Sequence, residues 1–291
     1  MMKSTAEPAA PGLRHWWEPI WEPIARTAGL LSEAALAPFY TVYQRYLEAQ
    51  VPTWSIPGHI GIIMDGNRRF ARSRHFHSPI DGHARGADKL EEVLNWCEET
   101  GVDVVTVWIF SLDNFNRDPG EVDGLMDLFE RKFLELVTHP RVHAQQIRVR
   151  SIGQTASLPP RVQQAIHDAE EATSGYTRRV LNIGVAYGGR EEIVDAMRRY
   201  LQDQAARGRD LATVAEQLSP DCVTPYLYTS HVPDPDLIIR TSGEIRLSGF
   251  LLWQSVYSEF YFCDTNWPAF RKIDFLRALR DYSQRKRRFG R

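Results

Sequence analysis

The sequence predicts an α/β protein: a single domain with a central, mostly parallel six-stranded sheet flanked by helices, plus an N-terminal helical arm. Three observations carry this. From Pro57 onward, short apolar runs alternate with longer stretches of helical periodicity. The apolar runs are continuous, as in strands covered on both faces of a parallel sheet. The chain has 291 residues, 43% of them hydrophobic, which is enough to bury one large core.

The elements follow in order. Residues 1–12 read as a disordered lead. Residues 13–50 read as a helical arm, broken into pieces by Pro19, Pro23 and Pro38. This arm carries Trp16, Trp17, Trp21 and several Tyr, residues that also suit a membrane boundary. The domain division is therefore 1–52 for the extension and arm, and 53–291 for the main domain. HIGIIM (59–64) is the first strand, followed by a polar loop. His83, Gly86, Ala87, Leu90, Leu94 and Cys97 then recur at helical spacing, and Gly101 closes that helix. VVTVWIF (104–110) is the second strand, and Pro119 to Val137 a helix. QIRVRSI (146–152) and VLNIGVAYGG (180–189) are further strands, with a helix over Pro160 to Thr173 between them and another from Arg190. LIIRTSG (237–243) and EFYF (259–262) complete the sheet before a C-terminal helix.

Composition excludes several classes. The formal net charge is −2, so no global basic field points to nucleic acid. Cys97, Cys222 and Cys263 are far apart with no C-x-x-C, which leaves neither a zinc site nor a disulfide framework and points to a reducing cytoplasm. No apolar run approaches the length of a membrane span, and the N-terminus lacks the pattern of a signal peptide. There is no G-x-x-x-x-G-K-[ST], no G-x-G-x-x-G after the first strand, and no pair of adjacent aspartates.

Ligands of such sheets bind outside the carboxyl ends of the strands. Four strands run directly into polar clusters there. The first gives Asp65, Asn67, Arg68 and Arg69; the second Ser111, Asp113, Asn114 and Arg117. The fourth gives Tyr187, Gly188, Gly189 and Arg190; the fifth Arg240, Thr241, Ser242 and Gly243, with Arg246 and Ser248 just after. Each has a plain reading: Asp-Gly-Asn is a common turn, YGGR a helix start, Arg240 a surface arginine. Four in register reverse the odds. Guanidinium groups bind phosphate in paired hydrogen bonds, and glycines let backbone N–H groups approach an anion. Few carboxylates amid many arginines suit a Mg2+ ion bridging acid and phosphate, with Asp65 and Glu259 as candidates. The expectation is a site for one or two diphosphates with magnesium. His83 lies on the apolar stripe of its helix and reads equally as a core histidine.

The segments HIGIIMDGNRRFAR, GHARGADKL, FSLDNFNRDP, LNIGVAYGGREEIVDA and DPDLIIRTSGEIRLSGFLLWQSVYSEFYFCDTNWPAF, with the tail RRFG, resemble the cis-prenyltransferases, the family that includes undecaprenyl diphosphate synthase. The arm and the RTSGEIRLSGFLLWQS segment are most similar to the actinobacterial short-chain branch, which includes Z,E-farnesyl diphosphate synthase. The resemblance implies condensation of isopentenyl diphosphate with an allylic diphosphate. Asp65 would hold Mg2+ on the allylic diphosphate, and Gly66, Asn67, Arg68, Arg69 and His83 would cradle it. Phe70 and Phe115 would also face substrate, where many members carry Trp. Ser111, Asn114 and Arg117 would assist ionisation and proton loss. Arg240, Arg246 and Ser248 would bind the diphosphate of isopentenyl diphosphate, and Glu259 would complete the metal site from the same chain or across a dimer. Arg288 and Gly290 match a tail that reaches a neighbouring subunit. Ile109, preceded by Trp108, stands where long-chain makers carry a small residue, which implies a fifteen-carbon product from geranyl diphosphate. The alternatives are a long-chain polyprenyl synthase, a lavandulyl-type synthase, and a non-catalytic partner subunit, the last disfavoured by the presence of Asp65. A homodimer, no nucleic acid, a cytoplasmic location and a peripheral membrane contact complete the expectations.

Overall fold

The computed structural model describes residues 33–285, with side chains from 39 onward. Trp16, Trp17, Trp21, Arg288 and Gly290, with the lead of residues 1–12, lie outside these residues. The chain falls into two units, one up to Ala49 and one from Gln50. The described part of the first is a helix, α1 (Glu33–Gln50), which ends at the first residue of the second unit. It runs through Pro38, expected to break it; six residues into the helix, a proline removes only one backbone bond of the first turns.

The second unit is built on six parallel strands, β1 (His59–Ile63), β2 (Val104–Trp108), β3 (Ile147–Ile152), β4 (Arg179–Gly184), β5 (Leu237–Arg240) and β6 (Glu259–Phe262). Their order across the sheet is β3-β4-β2-β1-β5-β6, with every pair parallel. All six expected strands form, and the sheet is wholly rather than mostly parallel. All five residues of β1 are buried, which is why that strand is legible as one apolar run.

The chain leaves β1 toward β2 on one side and later toward β5 on the other. The carboxyl ends of β1, β2 and β5 therefore flank the switch in strand order, where ligands of doubly wound sheets bind.

One face of the sheet carries the large core. Ile60, Ile62, Val105, Val107, Val149, Leu181 and Ile183 point there. They meet side chains of α3 (Pro79–Thr100), α4 (Pro119–Thr138), α6 (Pro160–Ala172) and α10 (Lys272–Gln284). The opposite face carries a smaller cluster, in which Ile63, Ile152 and Ile238 pack under Tyr187, Phe250 and Leu251.

Helix ends are set by local chemistry. Ser78 Oγ accepts from the Ile80 amide, and Asp81 Oδ2 accepts from the Ser78 amide, so α3 begins at Pro79. Gly101, at φ 83, ends it as expected. The segment read as a polar loop after β1 is instead a helix, α2 (Asn67–Ser73). Gly66 makes the turn into it at φ 102. The remaining helices, α5 (Pro140–Ala144), α7 (Gly189–Ala206), α8 (Leu211–Gln217) and α9 (Pro220–Val223), fill the connections. No described helix is long and apolar enough to cross a membrane.

Candidate active site

A polar cleft opens at the carboxyl ends of β1, β2 and β5. From the end of β1 come Asp65, Gly66, Asn67, Arg68 and Arg69. From β2 and the turn after it come Trp108, Ile109, Ser111, Asn114 and Arg117; from β5 and its loop come Arg240 and Ser248; α3 adds His83. Among the described residues, Asp65 is the only carboxylate in this wall.

Arg240 organises the centre. It is buried, its Nη2 donates to Asp65 Oδ2 at 2.8 Å, and its Nη1 donates to Ser248 Oγ at 2.9 Å and to the Arg246 carbonyl. Arg69 stands 3.9 Å from the same Asp65 oxygen and donates to Glu244 at 2.7 Å. Arg117 and Arg68 share Glu121, at 3.1 and 3.6 Å. Ser111 and Asn114 are fixed to each other, since Asn114 Oδ1 accepts from the Ser111 amide at 3.1 Å.

Polar atoms around the cleft are left unsatisfied. Asn67 Oδ1, His83 Nε2, Trp108 Nε1 and Arg240 Nε are buried without a hydrogen-bond partner. Such atoms are scarce in folded proteins, and these four belong to residues that line one cleft. His83 is pushed down to about 4 by burial, with Arg117 and Arg68 acting in the same direction, so its ring is neutral at pH 7.

Beneath the cleft lies an apolar cavity of about 110 Å3. It runs between the sheet and helices α3 and α4, lined by Leu90, Leu94, Leu128, Phe129, Phe133, Leu181 and Ile183. Met64, Asn67, His83 and Ile109 belong to both walls, so the two spaces adjoin at those residues.

A protein-family model described as "Putative undecaprenyl diphosphate synthase" matches residues 63–290. The chain belongs to this family of prenyltransferases. It is 52% identical over 266 residues to an isoprenyl transferase of Deinococcus radiodurans, covering 91% of this chain and 97% of that one. It is 49% identical over 257 residues to a tritrans,polycis-undecaprenyl-diphosphate synthase (geranylgeranyl-diphosphate specific) of Methanopyrus kandleri, covering 88% and 93%. Among solved structures it resembles lavandulyl diphosphate synthase from Lavandula x intermedia, crystallised with dimethylallyl diphosphate. That match has a TM-score of 0.73 and 35% identity, and covers 81% of this chain and 99% of the other. This prenyltransferase therefore performs cis-prenyl chain elongation.

Not every expected residue of the prenyltransferase reaches the cleft. Phe70 packs edge-on against Phe76 under the Arg74 guanidinium, and Phe115 packs edge-on against Phe110 at 4.9 Å. Neither lines the cleft. The Arg246 side chain turns to Glu244, and only its carbonyl reaches Arg240. Glu259 begins β6 opposite Leu237, whereas the site lies beyond Arg240 at the other end of that ladder. Within the chain it pairs with Arg285 at 2.7 Å, not with Asp65. Trp108 stacks on Phe250 at 5.5 Å on the face opposite the apolar cavity, because neighbours along a strand point to opposite faces. Of the pair 108–109, only Ile109 touches the cavity.

The cluster after β4 also has another task. Tyr187 is fully buried and its hydroxyl donates to Glu192 at 2.5 Å. The Gly189 amide donates to the Gly249 carbonyl at 2.9 Å, an approach that a Cβ on Gly189 would block at 2.3 Å from that oxygen. These residues hold the loop carrying Ser248 and do not line the cleft. Conversely, Arg72 lines the cleft and was not anticipated. It shares a face with Arg68 and Arg69 once 67–73 is helical, so recognising the helix would have revealed it.

The donor set fits a metal only in part. Among the described residues no group of three or more His, Cys, Asp or Glu could hold an ion. One carboxylate among arginines instead suits Mg2+ carried in by diphosphate oxygens, the usual arrangement for this hard cation.

Proposed function

We propose that the enzyme joins isopentenyl diphosphate to geranyl diphosphate, and that its product is a short (Z)-prenyl diphosphate, (2Z,6E)-farnesyl diphosphate. The reading is carried by one observation: an arginine-rich cleft with one carboxylate adjoins an apolar cavity at Ile109. A diphosphate head and a hydrocarbon tail need those two environments side by side.

In this reading Asp65 would hold a Mg2+ ion, which would supply Lewis-acid stabilisation of the departing charge. Arg68, Arg69 and Arg72 take the allylic diphosphate, to which neutral His83 offers an N–H and not a full charge. Arg240 and Ser248 orient the second diphosphate. Asn114 and Ser111 face the reacting carbons. The apolar wall below the mouth keeps water from the allylic cation. Glu259 joins the metal only from a second copy of the chain, since its own chain holds it with Arg285.

The product stops short because Ile109 stands where the cleft adjoins the cavity, and packed interiors yield poorly to added volume. A longer polyprenyl product is the second reading, favoured by a specific observation: the cavity continues past Ile109 to Leu94, Phe133 and Leu136. Incubation with Mg2+, isopentenyl diphosphate and either geranyl or farnesyl diphosphate, followed by mass analysis, separates the two. A fifteen-carbon product from geranyl diphosphate supports the first, and products of fifty carbons or more overturn it.

A further inference from the structure

One edge of the sheet carries two arginines that the elongation chemistry does not use. β3 is an edge strand, paired within the sheet to β4. Its side chains alternate: Ile147 and Val149 enter the large core, while Arg148 and Arg150 stand on the opposite face, the face of Ile152. Two residues apart on one strand, their Cα atoms are about 6.6 Å from each other. Among the described residues neither guanidinium makes a salt bridge or a hydrogen bond, and Arg150 Nε is buried without a partner. Burial, and then the neighbouring charge of Arg148, lowers the Arg150 pKa.

The two side chains line a pocket of about 430 Å3 together with Ser174, Tyr228 and His231. Arg150 stands in register with Asn182 of β4, and His231 Nε2 lies 3.0 Å from Asn182 Oδ1, which fixes the ring beside the arginines. No residue lining this pocket lines the cleft, and β4 separates β3 from β2, the nearest strand that feeds the cleft. Charged side chains often guard an edge strand against pairing with another chain. Here the edge is already covered, since the Val149 amide donates to Thr173 Oγ1 at 3.0 Å and the Ser151 amide to Glu170 Oε1 at 2.5 Å. Guarding therefore leaves the paired guanidinium groups unexplained.

We propose that Arg148 and Arg150 form a second anion site, remote from the cleft, that takes a small phosphate-type dianion. Two guanidinium groups supply both the charge and the forked donors that phosphate oxygens accept, and Ser174 adds a hydroxyl. Glu170 and Glu171 also line the pocket; Glu170 is engaged by Ser151, and Glu171 stands 3.7 Å from His167. These carboxylates repel a long polyanion and leave room for a compact one. The covered edge likewise excludes an added peptide strand. The chemistry of the ligand is shared by inorganic phosphate and by diphosphate, the leaving group of the proposed condensation.

Histidine NMR on the full chain tests the site, because His231 lies in this pocket and His83 in the cleft. The two resonances are assigned with His231→Gln and His83→Gln. Inorganic phosphate and diphosphate are titrated separately, each against chloride at equal ionic strength. The His231 signal is expected to shift saturably with at least one of the two anions, and the tighter binder identifies the source. Arg148→Gln with Arg150→Gln should weaken the His231 response roughly tenfold or more, while the His83 response and the rate of prenyl transfer stay unchanged. If the double variant does not fold, Arg150→Gln alone carries the same expectation. A His231 signal that moves no further with either anion than with chloride overturns the site, as does a response that survives the double substitution in full. A chain that transfers no prenyl group overturns the reading of the cleft and leaves this site standing.

Discussion

Arg240 on β5 reaches across to β1 and donates to Asp65 Oδ2 at 2.8 Å, with its side chain 5% exposed where that of Asp65 is 28% exposed. Arg69 approaches the same oxygen at 3.9 Å. The carboxylate is thus anchored from behind by a buried guanidinium and presents its remaining surface to the cleft.

That arrangement separates the charge of Asp65 from its structural role. Asp65→Asn keeps an oxygen for Arg240 but removes the negative charge. It should lower kcat by about 10²–10³-fold, the scale seen when one preorganised electrostatic partner is lost. Asp65→Ala also strips the buried guanidinium of one of its three acceptors and its only charged one, and should cost about 1–3 kcal/mol of stability. Steady-state rates and urea denaturation test both. A near-normal kcat in the Asn variant would sink the metal-holding role.

Ile109 and Trp108 offer a second separation, because they point to opposite faces. Ile109→Ala should yield longer products than the wild type. Trp108→Ala should not lengthen them, but should lose stability through its contacts with Phe250 and Tyr187. Chromatography of the products decides this. If the Trp108 variant lengthens them and the Ile109 variant does not, the assignment of the mouth is reversed.

These contrasts mark what the sequence could and could not tell. The strands were legible because a doubly covered parallel strand is a continuous apolar run, and the residues after β1, β2 and β5 fall where such sheets bind ligands. The helix of Asn67–Ser73 was missed because NRRFARS has little apolar periodicity, and Gly66 reads as a turn whichever way the chain continues. The end of β6 that Glu259 occupies was not legible, because nothing in a sequence fixes register; only the pairing with Leu237 shows it. The glycines after β4 looked like an anion cradle, and Gly189 instead meets Gly249, a contact about sixty residues away that no local pattern announces. The face of Trp108, by contrast, follows from strand alternation alone.

A third prediction concerns pH. His59 is buried, with Nδ1 2.6 Å from the Pro233 carbonyl and Nε2 2.8 Å from Thr106 Oγ1. Asn182 Nδ2 donates to that same hydroxyl, and His231 Nε2 lies 3.0 Å from Asn182 Oδ1. Burial pushes His59 down to about 4; burial and then Arg150 and Arg148 do the same for His231. Above pH 6.5 both rings are neutral folded or unfolded, and stability is indifferent to them. Below it the unfolded chain binds protons that the native state refuses, so stability falls as pH drops from 6.5 toward 4. For His59 the full loss is on the order of 3 kcal/mol. Denaturation midpoints at pH 7.5 and pH 5 should differ, and His59→Gln should flatten the dependence. Equal midpoints for the wild type would refute the account.

The last prediction turns on how closely α3 approaches the start of α2. A Cβ on Gly86 would lie 2.3 Å from Asn67 Oδ1 and 2.9 Å from Trp267 Cδ1. Neither neighbour can retreat easily: Asn67 Nδ2 is bonded to the Met64 carbonyl at 2.9 Å, and Trp267 Nε1 to the Gly86 carbonyl at 2.7 Å. Gly86→Ala should therefore push Asn67 toward the cleft, costing about 1–3 kcal/mol as overpacking does. It should also raise KM for the allylic diphosphate more than for isopentenyl diphosphate. Gly101→Ala is the control, since its Cβ would meet nothing within 4 Å and only its φ of +83 is strained. That change should cost about 1–2 kcal/mol and leave both KM values alone, because the strain lies at the far end of α3. Equal kinetic effects from the two substitutions would mean that Asn67 is not the residue through which Gly86 reaches the cleft.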